Sequence, residues 1–147
     1  MTSATTDVLN AIETRVNAVL PSYTRLKYSY EIEKNDKRSS SAGYGIGAGS
    51  SISAEGTFRT ITLDQSFFVI LSQDFGGRSN DEAERTALKT IYDDLETLYK
   101  DLFQSKIGIP STVYLVSDLS LDEPAKMGQN VISVRMNFVV KTRKATT

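Results

Sequence analysis

Ser39–Gly56, SSSAGYGIGAGSSISAEG, and the run that follows it, Thr57–Phe75, TFRTITLDQSFFVILSQDF, together decide how this chain is read. Glycine and serine bury little surface and cost the most backbone entropy to order, so the first half reads as a flexible loop over 39–56. Such a loop is either a solvated linker or a segment that orders against a partner. The second half reads as strand, because Ile61, Leu63, Phe67, Val69, Leu71 and Phe75 share one parity. A straight strand over 57–75 would exceed about 60 Å, so a bend or bulge is expected near Asp64 and Gln65. The near half then projects from the body as one arm of an extended hairpin, with the Gly/Ser loop at its tip.

Upstream, the other arm is expected at Leu26–Glu33. There Leu26, Tyr28, Tyr30 and Ile32 alternate with Lys27, Ser29, Glu31 and Glu33, and the polar residues Lys34–Arg38 turn the chain. Before it, Val8, Leu9, Ile12, Val16, Val19 and Leu20 recur at helical spacing. Thr6 or Asp7 can cap that short helix, and Pro21 ends it. Downstream, Ser79 and Glu82 form a capping box that opens a long helix ending near Lys106, with an apolar stripe through Ala87, Leu88, Ile91, Leu95, Leu98 and Leu102. Tyr92, Tyr99 and Phe103 widen that stripe to roughly 160°, more than one sheet contact needs, which predicts a second packing surface. Two strands follow Pro110, STVYLVSDLSL and NVISVRMNFVV, joined by the polar link DEPAKMGQ. Ile132, Val134, Met136, Phe138 and Val140 form the inner face of the second. The expectation is one α+β domain over 1–147, a mainly antiparallel sheet of about four strands covered by a short N-terminal and one long helix, with a flexible C-terminal tail over 142–147.

Composition narrows the chemistry. The chain has no histidine and no cysteine, which removes imidazole bases, thiolate nucleophiles, disulfides and nearly all zinc sites. No catalytic residue, cofactor or metal is expected. Lys and Arg number 17 against 18 Asp and Glu, a net charge of -1 that gives no global pull toward nucleic acid or an anionic membrane. No apolar run approaches the roughly 20 residues that cross a bilayer. The N-terminal MTSATTDVLNAIETR lacks a basic leader pattern, so a cytoplasmic protein is expected.

Local motifs read mostly as ordinary surface. GYGIGAG looks like a phosphate cradle, but it leads into a strand rather than a helix, and no G-K-[ST] follows. Asp93 and Asp94 point about 100° apart on their helix, and Asp118, Asp122 and Glu123 match no calcium-loop pattern, so all five read as solvated charge. Lys34, Lys37 and Arg38, and Lys141, Arg143 and Lys144, are small basic clusters without interleaved aromatics.

The order of elements resembles the tail-terminator family of long-tailed bacteriophages, also called tail-completion or head-tail joining proteins. The likeness rests on the helix DVLNAIETRVNAVL, the hairpin around the loop, the strand TLDQSFFVILSQDF, the long helix after SNDEAE, and MGQNVISVRMNFVVKT after the DEPAK link. It spans nearly the whole chain and lies in arrangement, without a diagnostic short motif. The resemblance implies a homo-oligomeric ring of six subunits that caps the tail tube, ends its polymerisation and offers a surface to the head connector. Its partners would then be other copies of the chain, the tube protein and the head-completion protein, with DNA passing transiently through the lumen. The protein would reside in the virion tail and neck after assembly in the host cytoplasm. A head-closure protein on the portal side, or a non-phage adaptor with a flexible clamp loop, would suit the same features. Candidate contact residues are Tyr28, Tyr30, Phe58 and Arg59 of the hairpin, Arg38, Tyr44, Ile46 and Ile52 of the loop region, and Tyr92, Tyr99 and Phe103 of the long helix.

Overall fold

The computed structural model describes residues 3–25, 42–56, 60–75, 81–105, 113–127 and 131–145. Helix α1 spans Ala4–Val19 and begins one turn earlier than the sequence pattern suggests. Its N-cap is Ser3, whose Oγ accepts the Thr6 N–H at 3.1 Å, in place of Thr6 or Asp7. Val8, Ile12 and Val16 fall on one face at i, i+4 spacing and are buried, and the chain leaves the helix at Leu20, before Pro21.

The Gly/Ser segment is not a loop. After the short strand β1, Thr24–Arg25, residues Ala42–Gly56 form strand β2, which runs antiparallel to β3, Thr60–Asp74. The residues GYGIGAG alternate as a strand does, and 42–46 are buried on both sides. Ala42, Tyr44 and Ile46 point into the core, so Gly43, Gly45 and Gly47 face the other side of the sheet. A glycine is needed at 47, where an added Cβ would lie 2.7 Å from Phe68 Cε1 and closer still to Cζ. The Phe68 ring therefore lies across its directly opposed neighbour, Gly47, and fills the space a side chain would take. The expected irregularity does occur at this level of the sheet, but on the partner strand. Between the Ala48–Phe67 and Ile52–Gln65 pairs, Gly49, Ser50 and Ser51 oppose Ser66 alone, while β3 runs through unbroken.

Helix α2, Asp81–Ser105, is followed by β4, Val113–Leu121, β5, Ala125–Met127, and β6, Val131–Ala145. The sheet order is β1-β2-β3-β6-β4, and β5 pairs with β6 beyond the end of β4, so part of the DEPAK link is strand. The fold is α+β, but the sheet is larger than expected: six described strands in place of about four, and mixed, because β1 runs parallel to β2. The long reach of β6 also places 142–145 in the sheet, with Thr142 buried, where a flexible tail was expected. The predicted strand at 26–33, the turn at 34–38 and Ser79 of the capping box lie outside the described residues.

The helices cover one face of this sheet. Phe67, Val69 and Leu71 of β3 and the predicted inner face of β6, Ile132 through Val140, meet Ala87, Ile91, Leu95, Leu98 and Leu102 of α2. Phe67 and Phe138 stack across the two central strands with centroids 6.5 Å apart. Arg15 donates Nε–H to Asp101 Oδ2 at 2.8 Å and a second N–H to Oδ1, a two-point tie between α1 and α2. Beyond the level of Gln65, which accepts a hydrogen bond from Thr5 near the start of α1 at 2.6 Å, burial falls away. Residues 53–56 and Ile61 are exposed, so the far ends of β2, β3 and β6 form a tip, with the start of β4 beside Lys141 and Thr142 at its base.

Candidate functional site

The sheet face away from the helices carries a charged but largely self-satisfied surface. The Arg135 guanidinium sits 3.9 Å from the Phe68 ring centroid, and its Nε–H donates to Asn137 Oδ1 at 2.9 Å. Asn137 Nδ2 in turn donates to Asp122 Oδ1 at 2.9 Å. Toward the tip, Ser53, Asp64, Ser66, Ser117, Asp118 and Lys141 border a polar pocket of about 270 Å³. Lys141 Nζ lies 3.6 Å from Asp64 Oδ1, close enough to pair charge and too far to hydrogen bond, and that buried oxygen has no hydrogen-bond partner. Among the described residues no group of three or more potential ligands is placed to hold a metal ion. The carboxylates read as solvated charge are in part engaged. Asp94 accepts the Tyr23 hydroxyl at 2.5 Å, Gln73 Nε2 donates to the same hydroxyl at 2.9 Å, and burial followed by the Asp94 bond pushes the Tyr23 pKa well up.

The predicted contact residues divide sharply. Tyr28, Tyr30, Arg38, Phe58 and Arg59 lie outside the described residues. Tyr44 and Ile46 are buried under α1, and the Tyr44 hydroxyl donates to Asn17 Oδ1 at 2.7 Å, so neither offers a contact surface. Burial also raises the Tyr44 pKa. A loop would leave both residues on a surface; the strand Ala42–Gly56 turns them into the core. Ile52 belongs to β2, opposite Gln65.

Tyr92, Tyr99 and Phe103 do form a surface. Tyr92 and Phe103 are each 38% exposed, and the half-buried Tyr99 meets Phe103 at a centroid distance of 6.0 Å. Their direction follows from helix geometry. Asp101 faces Arg15 of α1 and Asp94 faces Tyr23 just beyond that helix, and at 100° per residue the three aromatics lie roughly 140–180° farther around α2. Helix α1 packs beside β2 and α2 spans β3 and β6 to reach β4, so the aromatic flank looks toward the β4 edge.

That edge contributes apolar residues which sequence reading did not single out. Leu121 pairs with the core residue Met136, which puts it on the helix-facing side of the sheet, and Leu119 shares its parity. They are 44% and 36% exposed, because two helices cannot cover the outermost strand. A bulge between Ser117 and Ser120, where Asp118 adopts φ 56°, turns the strand at this point. Tyr92, Tyr99, Phe103, Leu119 and Leu121 thus border a shelf beside α2. Period-two alternation in YLVSDLSL hinted at a half-buried strand, but nothing in the pattern marked it as an edge.

Comparison of the chain with known protein-family models and with curated proteins gives no match.

Proposed function

We propose that this protein is a structural subunit of a bacteriophage tail, assembling as a ring that caps the tail tube, ends its polymerisation and presents a joining surface to the head. The observation that carries the reading is the shelf bordered by Tyr92, Phe103, Leu119 and Leu121, four large apolar residues exposed on one flank. Scattered exposed apolar residues, such as Ile61 at the tip, are ordinary, but a cluster marks a contact with another chain. A shelf that meets a different surface of the next subunit joins the two head to tail, and head-to-tail contacts that close make rings. The element order that resembles tail terminators points the same way.

In this reading the tube protein and the head connector meet opposite rims of the ring. DNA passes through the lumen without tight binding, since a net charge of -1 supplies little counterion release. The test is purified protein examined by light scattering and negative-stain imaging, alone and with phage tail tubes. Rings in solution, and a ring seated at one tube end with elongation arrested, are expected. A monomer at high concentration that leaves tube ends bare would overturn the proposal.

A further inference from the structure

We draw no further inference here: the strongest candidate, the polar pocket of about 270 Å³ bordered by Asp64, Asp118, Lys141, Ser53, Ser66 and Ser117 on the sheet face away from the helices, carries nothing, because its buried Asp64 Oδ1 is already charge-paired with Lys141 and nothing in the structure points to a ligand that would fill it.

Discussion

The two halves of strand β3 share one backbone ladder and have opposite fates. Residues Phe67–Ser72 are buried between β2 and β6, whereas Thr60–Ser66 are exposed or only partly covered, although β2 and β6 flank both halves in the same antiparallel order. Hydrogen bonding therefore cannot explain the difference. On the inner face the helices do: the core of α1 and α2 meets Phe67, Val69 and Leu71, and stops short of Ile61, whereas Phe68, Ile70 and Ser72 are buried on the opposite face, which the helices do not cover. The lower half supplies stability through apolar burial. The upper half has its backbone satisfied by its neighbours and contributes less apolar burial, with Ile61 exposed and Gln65 and Asp64 engaged by Thr5 and Lys141.

The harshest way to break this comparison is to remove the strand both halves depend on. Deleting Ala42–Ser53 takes out most of β2, with Tyr44 and Ile46 from the core, and should abolish the cooperative thermal transition. The deletion would leave a folded monomer if this segment were a loop, so a circular-dichroism melt decides between the two descriptions.

Single substitutions should then separate the halves. Phe138→Ala, beneath the helices, is expected to cost about 3–5 kcal/mol by urea denaturation, and Ile61→Ser at the tip less than about 0.5 kcal/mol. Equal costs would mean that the tip is part of the core. Gly47→Val should fall between them at about 1–3 kcal/mol, because the new side chain enters the space of the Phe68 ring. Combining it with Phe68→Ala should recover part of that loss, a non-additivity that two independent sites would not show.

The smallest expected effect is on pH dependence at the lower end of the sheet. Burial and Asp94 hold the Tyr23 hydroxyl protonated well above its unfolded value of about 10. The folded state then binds the proton more tightly than the unfolded chain. The stability this contributes is intact below about pH 10 and falls as pH rises above it, while the unfolded tyrosine ionises first. Tyr23→Phe should flatten the alkaline decline of the urea midpoint, at a cost of about 1 kcal/mol near neutrality from the lost Asp94 and Gln73 bonds. A decline equally steep in the variant would assign it to other groups.

Much of the lower half was legible in the amino-acid pattern. The inner face of β6 from Ile132 to Val140, the parity of Phe67, Val69 and Leu71, and the stripe on α2 all repeat at the period of their element. The bend expected in β3 near Asp64 and Gln65 from its length is absent: the strand runs unbroken from Thr60 to Asp74, and the bulge lies in β2. The error at 42–56 came from reading composition before period. Ala42, Tyr44 and Ile46 alternate with Gly43, Gly45 and Gly47 as strand residues do, but glycine's low strand preference suppressed the signal. What makes the glycine at 47 suitable is Phe68, which lies more than twenty residues away in sequence and directly opposite in space. Similarly, the aromatic flank of α2 was visible as excess apolar width, while its continuation onto Leu119 and Leu121 was not.

The sequence by itself determined the inner faces of β3 and β6, the buried stripes of the two helices and which side-chain chemistries are missing, because periodicity and residue type act locally. Only the tertiary structure decided that a glycine-rich stretch is an interior strand, that β4 is an outer strand among the described residues and that apolar side chains are left exposed beside α2. Those outcomes depend on which strand lies beside which and how far two helices reach across six strands. Residues distant in the chain settle that together when they pack.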